Sequence, residues 1–236
     1  MHIFESLKIL FSRIPEGHKR FRGRYHGGWA NYIYVPDGDK RIFDGPFSYY
    51  ESHRQEQGHS RYRIKGFYEE DRKTGLWIYK HKAPTQETTL TLNYDHGHYS
   101  GRLVFDDNRF GLNEIVTSTH FEFDLDRRHP QGEITGYVDG RYLHGAFDDH
   151  GMPHGEWQLA PMEKDDVQKV EREEWSHGHF LGATTQRNEK ASVTEGRRRL
   201  REMINMYLDN DCARMLQMAS RGDMDEVIHI GRVIEK

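Results

Sequence analysis

Between residues 21 and 185, apolar and polar positions alternate around recurrent glycines. The five-residue pattern apolar-x-Gly-x-apolar occurs at Tyr25-His26-Gly27-Gly28-Trp29, Phe43-Asp44-Gly45-Pro46-Phe47 and Ile64-Lys65-Gly66-Phe67-Tyr68. It returns at Tyr99-Ser100-Gly101-Arg102-Leu103, Leu143-His144-Gly145-Ala146-Phe147 and Phe180-Leu181-Gly182-Ala183-Thr184. Lys73-Thr74-Gly75-Leu76-Trp77 and Pro153-His154-Gly155-Glu156-Trp157 keep the glycine and end in tryptophan. Residues two apart in a strand share a face, so this spacing predicts strands in which a glycine lies between two large side chains. A bare glycine there leaves room for an aromatic ring from the next strand. Turn formers separate the strands at Asp37-Gly38, Asp95-His96-Gly97, Asp139-Gly140 and Ser176-His177-Gly178. Glycine supplies the positive φ of tight hairpins, so the pattern predicts an antiparallel meander.

A longer recurrence is superimposed. Gly66, Gly75 and Gly101 return about 80 residues later as Gly145, Gly155 and Gly182. The run Asn93–Gly101 matches Glu174–Gly182 at four of nine positions, two histidines and two glycines, with two aromatic swaps. Residues 62–105 and 142–185 read as duplicated halves of one repetitive sheet. The two ends differ from this. Leu200, Met203, Ile204 and Leu208 fall at helical spacing, as do Cys212, Met215, Leu216 and Ala219. Asp223 and Glu226 form a capping box before Val227, Ile230 and Ile234. Ile3, Leu7, Leu10 and Ile14 make a second apolar stripe at the start. The expected organisation is an N-terminal helix and basic linker over 1–20, a β-repeat sheet over 21–185 and a helical segment over 186–236. The fold class is mainly β, a repetitive antiparallel hairpin sheet with flanking α-helices at both termini that cover its open edges.

The Tyr-x-Gly-x-Trp segment at Tyr25–Trp29, with the glycine-centred strands after it, resembles the MORN repeat. The spacings Tyr94-x-x-Gly97-x-x-x-Gly101 and Trp175-x-x-Gly178-x-x-x-Gly182 are similar to the MORN-variant repeats of bacterial proteins described as antitoxins. The resemblance spans roughly residues 21–185. It implies an elongated, curved antiparallel sheet that works through protein–protein or membrane-proximal contacts. The motif glycines are spaced less regularly here than in that family, which implies long loops between some hairpins.

Composition narrows the field. Only 35% of residues are hydrophobic, yet 12% are aromatic and 23 are glycine. Thin aliphatic content with many rings suits a sheet-rich repeat better than a deep globule. The formal charge of −4, from 34 basic and 38 acidic residues, gives no global pull toward nucleic acid. Cys212 is the one cysteine, which permits no internal disulfide and no cysteine-rich zinc site. No apolar run is long enough for a transmembrane helix, and residues 1–14 lack the apolar core of a signal peptide. A reduced, cytoplasmic setting is expected.

Candidate chemistry is sparse. Of 16 histidines, His26, His96, His144, His150, His154 and His177 directly precede glycine, the setting of a turn tip rather than of a metal-ligand motif. Asp106-Asp107, Asp124 with Asp126, Asp148-Asp149 and Asp165-Asp166 are carboxylate clusters, read as turn chemistry. No nucleophile elbow and no phosphate loop is present. No catalytic residue, metal site or cofactor is therefore assigned, and the protein is read as a non-enzyme. Trp29, Trp77, Trp157 and Trp175 are the candidate partner contacts, although the same rings can also form the core of a thin sheet. Lys19, Arg20, Arg22 and Arg24 form a basic cluster that could meet an anionic membrane. The expected role is an interaction or scaffold module for a protein partner, not for nucleic acid. The alternatives are an antitoxin that neutralises a partner toxin, and peripheral membrane association through residues 1–24.

Overall fold

The computed structural model describes residues 13–55, 58–111, 115–127, 129–138, 141–161 and 171–185. The helices expected at both ends, Cys212, Asp139-Gly140 and Asp165-Asp166 lie outside the described residues. Thirteen strands follow one another: β1 (Lys19–Tyr25), β2 (Gly28–Asp37), β3 (Lys40–Gln55), β4 (Gly58–Glu69), β5 (Arg72–Ala83), β6 (Gln86–Asp95) and β7 (His98–Phe110). They continue as β8 (Ile115–Arg127), β9 (His129–Val138), β10 (Arg141–Phe147), β11 (Pro153–Pro161), β12 (Glu171–Ser176) and β13 (His179–Thr185). All thirteen form one antiparallel sheet whose spatial order is the sequence order. The expected meander is therefore present, and β1 begins two residues before the boundary expected at residue 21.

The tight turns show why these residues reverse the chain. His26-Gly27, His96-Gly97 and His177-Gly178 each place two consecutive residues at positive φ, the geometry whose twist matches two-residue hairpins. Glu70-Asp71 does the same without a glycine. There the cost is offset by two bonds to β3: the Phe43 N–H donates to Asp71 Oδ1 at 2.6 Å, and the Asp71 N–H donates to the Phe43 carbonyl at 2.8 Å.

A short structural unit underlies the longer recurrence. Each even strand meets the following odd strand through a bulge, at Tyr32/Tyr34, Lys65/Phe67, Thr91/Tyr94, Glu122/Asp124, His144/Ala146 and Glu174/Trp175. In five of the six, the odd strand carries a glycine at positive φ: Gly45, Gly75, Gly101, Gly132 and Gly155. Two residues before three of these glycines, a carbonyl accepts the N–H of the next hairpin turn. The pairs are Phe43 with Asp71, Lys73 with Gly97 at 2.7 Å, and Pro153 with Gly178 at 2.9 Å. Segments 62–105 and 142–185 correspond to β4–β7 and β10–β13. They lie three hairpin units apart, with the same bulge recurring between them at Gly132.

The glycines thus perform different tasks that the sequence pattern does not separate. Gly66 and Gly145 do what the pattern predicts. A Cβ on Gly66 would lie 2.1 Å from the Trp77 ring, and one on Gly145 2.2 Å from the Trp157 ring. Gly27, by contrast, sits in a turn, and Gly45, Gly75, Gly101 and Gly155 open bulges. Because Trp77 lies over Gly66, its ring also reaches Phe47 on β3, at 5.8 Å between centroids. Ring contacts continue toward β1 through Tyr32 stacked on Phe47. Away from β1 they continue through the tilted pairs Tyr94 with Tyr99 and Phe123 with Phe147, and the edge-on pair Phe147 with Trp157. These rings and the interleaved Leu90, Leu92, Leu103, Leu125 and Leu143 make one buried cluster on one face. We call this the closed face and its opposite the outer face.

Candidate functional site

Trp77, Trp157 and Trp175 are buried in the closed face, whereas Trp29 is 56% exposed. The difference is one of strand parity. Trp29 lies between the buried Gly28 and Ala30 on β2, so its side chain belongs to the outer face. Of the four tryptophans considered as partner contacts, Trp29 alone is presented to solvent in this structure.

The register places Trp29 in a row across five strands. Arg24 of β1 faces Trp29, Trp29 faces Tyr50 of β3, Tyr50 faces Arg63 of β4, and Arg63 faces Lys80 of β5. Arg24, Tyr50, Arg63 and Lys80 are exposed, and the Arg63 guanidinium lies 5.7 Å from the centre of the Tyr50 ring. Cation–π attraction of this kind holds a guanidinium over a ring. The next rows add Arg22 opposite Asn31, and Arg61 opposite Lys82. Two shallow depressions flank Trp29 and Tyr50. One, of about 450 Å³, runs toward Arg22, Ser48 and Lys65, and the other, of about 590 Å³, runs toward Arg24 and Glu51.

Much of the cationic charge of this patch is not neutralised within the fold. Lys82 pairs with Glu87 at 3.1 Å. Among the described residues, Arg22, Arg24, Arg61, Arg63 and Lys80 have no carboxylate within ion-pair distance. Arg63 and Lys80 stand directly opposite one another, an arrangement of like charges that costs stability in a sheet. The basic cluster at Lys19, Arg20, Arg22 and Arg24 lies on strand β1. Alternation puts Arg20, Arg22 and Arg24 on the outer face with Trp29, and Lys19 on the other side. Tyr50, Arg61, Arg63, Lys65 and Lys80 were not legible as part of a site from the motifs. The available signal is the period-two run Arg61-x-Arg63-x-Lys65 followed by Lys80-x-Lys82.

Other candidate groups are engaged in structure. Asp106, Asp107 and Asp124, expected in turns, lie within β7 and β8. Asp107 is buried and accepts hydrogen bonds from Thr88 Oγ1 at 2.7 Å and Gln86 Nε2 at 2.8 Å, and it pairs with Arg109. Asp148 caps its own loop by accepting the N–H groups of His150 and Met152, and pairs with His177 Nδ1 at 2.7 Å. Burial pushes the Asp148 carboxyl upward. The Met152 N–H, His177 and the His150 N–H outweigh it and leave the group below its ordinary value. Among the described residues, no group of three or more His, Cys, Asp or Glu side chains is arranged to hold a metal. No helix among them is long and apolar enough to cross a membrane.

No family model and no curated protein matches the chain. The repeated hairpin strands are compatible with the MORN resemblance.

Proposed function

We propose that the protein is a non-enzymatic interaction or scaffold module, and that it receives a protein partner on the outer face of β1–β5. The observation that carries this reading is the exposed Trp29–Tyr50 pair framed by Arg24 and Arg63 on a sheet whose other face is closed. Trp, Tyr and Arg are the residue types that dominate binding energy at protein interfaces, and here they stand side by side. Terminal helices flanking the sheet complete the proposed architecture, in a cytoplasmic protein, with their role that of covering the edges at β1 and β13. Antitoxin action is a special case of the same reading, in which the partner is a toxin. Membrane association would use Arg22 and Arg24 from the same patch and so competes with it directly.

The test is affinity capture of the tagged full chain from its own host, with the Trp29→Ala variant in parallel. A stoichiometric protein lost from the Trp29→Ala sample supports the reading. A partner retained equally by both, or none in either the soluble or the membrane fraction, rejects it.

A further inference from the structure

We infer that the segment docking on this face is extended and acidic, laid across the strands along the row from Arg24 to Lys80. The inference rests on the protein-partner reading above and specifies the partner's chemistry.

Charge complementarity is the first argument. Arg24, Arg63 and Lys80 are exposed and unpaired among the described residues, and Arg63 faces Lys80 directly. The free protein therefore holds an unfavourable like-charge pair that carboxylates from outside would relieve. Arginine predominates nearest the two rings, and its planar fork matches a carboxylate through two parallel hydrogen bonds. The row crosses five strands spaced at roughly 4.8 Å, so its length is about 19 Å, the reach of about six extended residues. Acidic side chains can take Arg24 at one end and Arg63 with Lys80 toward the other, while the residues between them cover Trp29 and Tyr50.

The same face also sets a limit. Beyond β5 and β6 its charged residues include Asp106, Glu122 and Asp124. A polynucleotide continuing along the sheet would meet these carboxylates, whereas a short peptide ends before them. A bilayer is opposed for the same reason, because an anionic surface would cover both regions at once. Its flat surface also does not fill the depressions on either side of Trp29.

The experiment uses the full chain and three labelled probes. They are a short synthetic peptide alternating glutamate and threonine around a central tyrosine, an oligouridylate of matched charge, and vesicles of phosphatidylcholine with phosphatidylserine. The expected result is saturable peptide binding that Arg24→Gln and Arg63→Gln each weaken about tenfold. Lys82→Gln, outside the row and already paired, weakens it less. Lys80→Gln should also raise the thermal midpoint of the unliganded protein, which a purely structural lysine would not do. If either arginine variant fails to unfold cooperatively, Lys80→Gln on the same row replaces it. Absence of peptide binding, binding indifferent to the row variants, or tighter binding of the oligouridylate or the vesicles overturns the inference. If the peptide fails while capture through Trp29 succeeds, the acidic segment alone is rejected. Failure of both rejects the contact face itself.

Discussion

Two stretches of the outer face are charged and use that charge in opposite ways. Over β7 and β8, Arg102 Nε meets Glu122 at 2.6 Å and its Nη1 lies 3.6 Å from Asp124, while His120 Nδ1 meets Asp106 at 2.7 Å. The His120 ring also stacks on Tyr137. Every member there answers another. Along the row from Arg24 to Lys80 the charges are of one sign, Arg63 stands opposite Lys80, and they flank the exposed Trp29 and Tyr50. A charged sheet surface is therefore not informative by itself. What separates the two stretches is whether their charges are already satisfied within the fold.

Both stretches depend on the closed face behind them, and the largest expected effect is there. Gly66→Val puts side-chain carbon where the Trp77 ring lies and should cost about 3 kcal/mol or more. In a urea titration it should unsettle both regions together, whereas Gly182→Ala, with nothing within 4 Å of its added Cβ, should leave the midpoint almost unchanged.

The next effects differ in sign. Arg102→Gln leaves Glu122 and Asp124 without their cation and should lower stability by about 1 kcal/mol, the upper range for exposed pairs. Lys80→Gln should instead raise stability by a few tenths of a kcal/mol, because it removes the like-charge pair while leaving Arg63 over the Tyr50 ring. The two variants, compared by chemical denaturation at low salt, give the most direct test of the contrast. Equal signs would erase it.

Smaller effects come from titration. The Glu122 carboxyl lies below its ordinary value of 4.5, first through the hydrogen bond from Arg102 and against the effect of burial. Its contribution is present above pH 4.5 and lost as the pH falls through its folded value. Thermal midpoints followed into acid should show this loss in the wild type and in Arg63→Gln, and a blunted loss in Arg102→Gln. His18 behaves inversely. Its hydrogen bond to Asp44, assisted by the Glu16 carbonyl, raises it above 6.5. That contribution is complete below pH 6.5 and lost as the pH rises through the folded value. His18→Gln should flatten the fall of the midpoint as the pH rises above 6.5, and β1–β5 should respond more than β7–β8.

The sequence made the strands and turns legible because their signals are local. Dipeptides such as His96-Gly97 need positive φ, and alternation needs only neighbouring residues. The ring seats at Gly66 and Gly145 were legible for the same reason. Which tryptophans face solvent was not, because Gly-x-Trp looks alike whether the glycine opens a bulge, as Gly75 does, or ends a turn, as Gly27 does. A bulge or turn shifts the parity of everything after it by one residue. The patch around Trp29 was hidden for a related reason. Arg24, Tyr50, Arg63 and Lys80 are far apart in sequence and meet only through register. Overall charge concealed it further, since the sum over the chain does not show a local excess.

Spatial order identical to chain order has a consequence for how the protein is made. Each strand's first partner is the strand just synthesised, so no segment waits for a distant one to leave the ribosome. Contacts of such short sequence separation close quickly, and a hairpin can settle on its predecessor during synthesis. The growing end is then always a single unpaired edge, and the basic patch on β1–β5 is complete while more than half of the chain is still unmade.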